Sequence, residues 1–137
     1  MDFASVRIIT DDLDRLVAFY EHVLAAPAAR PAPVFAEFRT PTGTLAIGTT
    51  ATVAMLGADA PQPGSNRSVI LEFLVDDVDA EFARIEAAAR DVVLPPTTMP
   101  WGNRSTLLRD PDGNLVNLFS RRWVGNESVI ATIVYRD

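Results

Sequence analysis

The sequence predicts an α+β fold assembled from two tandem copies of one unit, each a strand, a helix and then two or three strands. Two observations carry that prediction. "TDDLDR" at 10–15 and "VDDVDA" at 75–80 both close an apolar strand with two aspartates and open an amphipathic helix, 65 positions apart. "FRTPTGTLAI" at 38–47 and "LRDPDGNLVN" at 108–117 both read as strand, Pro-x-Gly turn, strand, but 70 positions apart. A repeat at a fixed spacing marks a duplicated supersecondary unit. The five additional residues of the second copy then fall between about 96 and 108.

Each element has a local reason. "SVRIIT" at 5–10 is a strand by its β-branched content. Asp11 or Asp12 caps a helix over about 12–25, whose stripe of Leu13, Leu16, Val17, Tyr20 and Leu24 follows the 3.6-residue period. "VFAEFRT" and "GTLAIGT" are strands joined by a turn that Pro41 and Gly43 set. This first module occupies about 1–56, and "GADAPQPGSNR" at 57–67 is a linker rich in Pro, Gly and polar residues. The second module, about 68–120, repeats the order with "SVILEFLV", a helix over about 77–90 on Val78, Phe82, Ile85 and Ala89, then "STLLRD" and "NLVNLFS" around Pro111 and Gly113. The extension 121–137 contains "SVIATIVY", which suits an added edge strand or a contact with a neighbouring subunit.

Composition narrows the function. A chain of 137 residues that is 48% hydrophobic can bury one compact core. A net charge of -6 argues against a nucleic-acid partner, and the absence of a long apolar run or signal-like start points to a cytoplasmic protein without a membrane partner. There is no cysteine and all 12 basic residues are arginine, so thiol and Schiff-base chemistry are excluded. Asp11, Asp12, Asp76 and Asp77 look like cation-binding clusters but are explained as helix caps and first-turn charges. The single histidine, His22, lies about 180° around its helix from Leu13 and should face solvent.

Three stretches, "VRIITDDLDRLVAFYEHVL", "LEFLVDDVDAEFARI" and "MPWGNRSTLLRDPDGNLVNLFS", together resemble the vicinal oxygen chelate superfamily of glyoxalases, extradiol dioxygenases and bleomycin-resistance proteins. The resemblance implies paired βαβββ modules whose mixed sheet curls around a cleft with the helices outside, commonly in a homodimer. It also implies, in the family's enzymes, a divalent metal held by His, Gln or Glu from the first and last strands of the modules. Those positions fall here on Ser5, Ile47, Ile70 and Asn117, none a usual ligand for such a metal. The chain therefore resembles the bleomycin-resistance branch, which binds compounds without transforming them, and no metal or cofactor is expected.

Strand alternation places Ser5, Arg7 and Ile9, Ile70, Glu72 and Leu74, and Leu115, Asn117 and Phe119 on the cleft face. Arg7 and Glu72, related by the repeat, either pair there as a polar handle or reach solvent separately. Trp101, between Pro100 and Gly102, is placed to stack on a planar ligand, or else anchors its loop or a dimer contact. Arg104 and Asn103 are candidates beside it; Phe35, Phe38 and Met55 are wall candidates that are more simply core. The expected ligand-binding set is Ser5, Arg7, Ile70, Glu72, Trp101, Arg104, Asn117 and Phe119. The expected function is non-catalytic binding of a planar or aromatic small molecule. One alternative is a glyoxalase- or dioxygenase-like enzyme with a displaced metal or with Glu72 as a metal-free acid/base; another is an interaction module acting through the extension.

Overall fold

The computed structural model describes residues 1–86 and 91–121. Among the described residues two compact units emerge: 1–67 together with 111–113, and 68–86 and 91–110 together with 114–121. The first unit contains β1 (Ser5–Thr10), α1 (Leu13–Leu24), β2 (Ala29–Ala32), β3 (Phe35–Thr40) and β4 (Gly43–Thr49). Its sheet runs in the order β1-β4-β3-β2, with β1 parallel to β4 and the other pairs antiparallel. The second unit contains β5 (Ile70–Leu74), α2 (Val78–Ile85), β6 (Val92–Thr98), β7 (Arg104–Arg109) and β8 (Leu115–Ser120). Its sheet repeats the plan in the order β5-β8-β7-β6, with β5 parallel to β8. Both units are therefore βαβββ modules, and the fold is α+β with no closed barrel among the described residues.

The repeated aspartates act as caps. The Asp12 carboxylate accepts from the Arg15 N–H at 3.1 Å, and Asp77 accepts from Ala80 at 3.1 Å, satisfying N–H groups that the first helical turn leaves without an internal partner. In the first unit Leu16, Val17 and Tyr20 are fully buried with Ala36 and Ile47, and the Tyr20 and Phe38 rings lie 6.3 Å apart. Val23 is buried, whereas Leu24, expected in the stripe, is half-buried where Ala25 turns left-handed (φ 51°) and ends α1. In α2, Val78 and Ile85 are buried and Phe82 is half-buried; the expected continuation to Ala89 and residue 90 lies outside the described residues. So does the extension from 122.

Two strands that the βαβββ plan implies were not located in the sequence, β2 and β6. Each is an edge strand, and each carries proline, Pro31 in one and Pro95 and Pro96 in the other. Proline cannot donate to a ladder, so it is tolerated at an edge while erasing the alternating pattern that betrays a strand. Ordered structure also enters the stretch expected to be linker. Residues Thr50–Asp59 form short 3₁₀ pieces that kink at Gly57 (φ 58°, ψ -127°). They fold back over β4 at Gly48, where a Cβ would stand 2.7 Å from Thr52 Oγ1.

The unequal repeat spacing has a local cause. β2 turns into β3 between Ala32 and Phe35, whereas β6 reaches β7 between Thr98 and Arg104 through the longer turn that carries Trp101. The Pro-x-Gly turns differ as well. β3 and β4 pair as far as Thr40 and Gly43, but β7 and β8 open beyond Arg109 and Leu115. The wider turn is held by Asp110, whose carboxylate accepts from Asn114 N at 2.9 Å and from Asn114 Nδ2 at 2.8 Å. Among the described residues no helix is long and apolar enough to cross a membrane.

Candidate functional site

Paired residues on neighbouring strands point to the same side of a sheet, so register identifies the open face of each unit. In the first unit Ser5, Arg7 and Ile9 of β1 stand beside Thr44, Ala46 and Gly48 of β4, and these beside Arg39, Glu37 and Phe35 of β3. Ser5 and Arg7 are exposed, and Glu37 is hydrogen-bonded and ion-paired to Arg39 on that face. Val6 and Ile8 share the opposite, helix-packed side with Leu45 and Ile47.

That register corrects one expectation. Ile47, taken as the last-strand position of the first module, is fully buried on the side of α1. The residue beside Arg7 is Ala46. The slip arises because the Pro-x-Gly motifs align the sequences while the turns around them differ in length. Alanine offers a metal no more than isoleucine does.

In the second unit the open face carries Ile70, Glu72 and Leu74 from β5, paired with Leu115, Asn117 and Phe119 of β8. β7 adds Arg109, Leu107 and Ser105 on the same side. Glu72 is exposed on the edge strand; Asn117, in the interior strand, is 6% exposed. Asn117 Nδ2 donates to Glu72 Oε2 at 2.9 Å. The other end of the amide, Oδ1, is buried without a hydrogen-bond partner. Buried acceptors are seldom left in that state, which makes Asn117 the least satisfied polar group on this face. Ile70 and Leu74, on either side of Glu72 along β5, are 48% and 54% exposed. Phe119, by contrast, is 7% exposed and serves mainly as packing.

The remaining candidates separate. Arg104 pairs with Ser120, on the opposite side from Asn117, and grips Asp79 of α2 through Nε to Oδ2 at 2.6 Å and Nη2 to Oδ1 at 2.8 Å. Its Nη1 also donates to Thr98 at 3.1 Å. The Arg104 guanidinium holds the Asp79 carboxyl below its ordinary range, chiefly through the hydrogen bonds, and Asp79 raises Arg104 in return. Arg104 is thus a tie between β7 and α2, a role that its place next to Trp101 in the sequence did not disclose. Asn103 is fully buried, and neither side-chain atom has a hydrogen-bond partner, so it is not a surface for ligand. Trp101 remains half-exposed in the β6–β7 turn. Phe38 is core, Phe35 is half-buried on the open side, and Met55 is exposed in the 3₁₀ segment. His22 is exposed, as its helical position requires.

The residues at the implied metal positions do not form a donor set. Ser5 offers one hydroxyl, Ala46 and Ile70 offer hydrocarbon, and Asn117 offers an amide already engaged with Glu72. Divalent metals of the family's kind require imidazole or carboxylate ligands in number. Among the described residues no group of three or more His, Cys, Asp or Glu is placed to hold an ion.

The family model for the glyoxalase/bleomycin resistance protein/dioxygenase superfamily matches residues 2–118. Several solved structures share the fold. A lactoylglutathione lyase from Agrobacterium tumefaciens is 27% identical, with a TM-score of 0.67, over 86% of this chain and 92% of its own. TioX from Micromonospora sp. ML1 is 25% identical, with a TM-score of 0.68, over 89% of this chain and 100% of its own. A glyoxalase/bleomycin resistance protein/dioxygenase from Nocardioides is 23% identical, with a TM-score of 0.75, over 94% and 87% respectively. No curated protein sequence matches the chain significantly.

Proposed function

The chain belongs to the glyoxalase/bleomycin resistance protein/dioxygenase superfamily, and from that premise we propose that it binds a small planar or aromatic molecule without transforming it and without a divalent metal. The observation that carries this reading is the donor set. Ser5, Ala46, Ile70 and Asn117 stand where the resemblance puts metal ligands, and their chemistry does not fit a catalytic divalent ion. What the open faces provide instead is a binding vocabulary: Arg7 and Ser5 in the first unit, Glu72 with Asn117 and two half-exposed aliphatic side chains in the second. The half-exposed Trp101 supplies a ring for stacking, which is worth about 0.5 to 1.5 kcal/mol beyond burial. Micromolar binding needs about 8 kcal/mol, or roughly 27 heavy atoms at about 0.3 kcal/mol each, the size of a drug-like metabolite. The homodimer that the resemblance implies is part of this proposal.

An enzymatic reading rests on the likeness to the lyase and on Glu72, a carboxylate oriented by Asn117 on an exposed strand. It requires turnover at that carboxylate. A fluorescence screen of planar compounds against chelator-treated protein tests both readings at once, with Trp101→Phe separating the Trp101 signal from that of Trp123. The binding reading expects saturable quenching, lost in Trp101→Phe, with the compound recovered unchanged by mass spectrometry. A transformed compound, with the rate abolished in Glu72→Gln, would overturn it in favour of an enzyme.

A further inference from the structure

We propose that the bound molecule is a carboxylic acid, and that Arg7, with Ser5 beside it and Arg39 across the sheet, holds its carboxylate on the open face of the first unit. The inference deepens the binding reading above and rests on it, and it uses residues of the first unit alone.

The donors are accessible and share a face. Ser5, Arg7 and Arg39 are exposed, Arg39 over 73% of its side chain, and Thr44 is half-buried between Ser5 and Arg39. Ser5, Thr44 and Arg39 form one row across β1, β4 and β3; Arg7, Ala46 and Glu37 form the next. Along β1, Ser5 and Arg7 are roughly 6 to 7 Å apart. Arg39 lies two strands across and one row along from Arg7, about 12 Å away by sheet spacing. Two extended arginine side chains close that gap from its two sides, so both guanidinium groups can reach one small anion lying over Thr44.

Those donors are also unspent. Among the described residues Arg7 has no hydrogen-bond or ion-pair partner, whereas Arg15, Arg30, Arg84 and Arg104 are each engaged by an oxygen of the chain. The hydroxyls of Ser5 and Thr44 are likewise without a partner among the described residues. Arg39 spends Nη2 on Glu37 Oε1 and keeps Nε and Nη1 for another acceptor. Glu37, the carboxylate of this face, is 14% exposed in its side chain and is taken up by Arg39 rather than by Arg7. What the exposed part of the face lacks is an acceptor, and a carboxylate supplies two oxygens in the spacing that a guanidinium fork grips.

Charge selects among anions. Arg7 and Arg39 against Glu37 leave the face with one net positive charge, on a chain whose net charge of -6 repels anions in general. A carboxylate balances that single charge. A phosphate monoester, with about -1.5 to -2 at neutral pH, exceeds it.

The test is heteronuclear NMR titration of chelator-treated protein with benzoate, with benzamide as its neutral counterpart and phenyl phosphate as the more highly charged anion. A fragment of this size should bind with a dissociation constant on the order of 1 mM. The proposal expects benzoate to shift the backbone amides of Ser5, Arg7 and Thr44, and benzamide and phenyl phosphate to bind more weakly, benzamide by at least tenfold. Arg7→Gln should weaken benzoate at least tenfold and Arg39→Gln at least threefold; both residues are exposed, so the variants should fold. Arg67→Gln removes the same charge from an exposed arginine outside the face and should leave benzoate binding unchanged. Equal affinity for benzoate and benzamide, tighter binding of phenyl phosphate, indifference to Arg7→Gln, or an equal loss in Arg67→Gln would each overturn it. If benzoate fails while a neutral planar compound still quenches Trp101, only the carboxylate assignment falls. A stoichiometric metal in the purified protein would overturn the binding reading and this proposal together.

Discussion

Ala46 and Ile47 are sequence neighbours with opposite fates, one beside Arg7 on the open face and one sealed under α1. Truncating Ile47 to alanine should therefore cost about 2 to 5 kcal/mol in chemical denaturation, as for a buried aliphatic residue. Ile70→Ala, on the exposed edge strand, should stay within about 0.5 kcal/mol. Equal effects would mean that the register of the open face is misassigned. Glu72 and Asn117 were legible as residues of one face because strand alternation places them there, but their hydrogen bond was not, since the sequence offered Arg7 as the partner of Glu72. Ile47 was not, because a one-residue difference in turn length inverts a face without changing the motif that marks the turn. Arg104 was misjudged for a different reason: its partner, Asp79, is 25 residues away in the sequence, and nothing local announces the pair. Its pH dependence follows from the lowered Asp79 carboxyl. The pair contributes stability above the ordinary carboxylate value of 3.8, and that contribution is lost as pH falls through the lowered value. Asp79→Asn should thus melt slightly below the unmodified protein at neutral pH and equal it in strong acid. The difference will be small, because solvent screens both groups.

At the scale of elements, the second aspartate of each pair, Asp12 or Asp77, caps its helix, and capping was readable from the position before an amphipathic stripe. Replacing Asp77 by alanine should lower stability by about 0.5 to 2 kcal/mol, read from thermal unfolding with circular dichroism. An unchanged transition would contradict the capping role. The edge strands β2 and β6 were implied by the βαβββ plan but could not be located, because proline breaks the alternation on which strand prediction depends, and an edge tolerates what a sheet interior does not. The 3₁₀ segment after β4 was hidden by its composition, rich in alanine and without a polar face, which matches neither the helical nor the strand period. Gly48 is its requirement. Gly48→Val should destabilise the protein by about 1 to 3 kcal/mol by displacing Thr52, whose hydroxyl donates to the Thr49 carbonyl at 2.8 Å.

For the whole molecule, duplication explains both what the sequence disclosed and what it withheld. The shared βαβββ plan follows from two motifs repeated at nearly the same spacing, and the family follows from the same residues. Function does not follow from the fold, because one scaffold hosts many chemistries and only the side chains at the site discriminate among them. At the positions that the resemblance assigns to metal ligands stand a serine, two hydrocarbons and an amide bound to a glutamate, and the proposal turns on whether such a set retains a divalent metal. The most direct test is elemental analysis of untagged protein purified without chelator, then dialysed against Ni²⁺, Zn²⁺, Mn²⁺ or Fe²⁺ and desalted. The account predicts well under one metal per chain in every case. One tightly retained ion per chain, lost when Glu72 or Asn117 is replaced, would contradict it and place the protein among the metal-dependent enzymes of its superfamily.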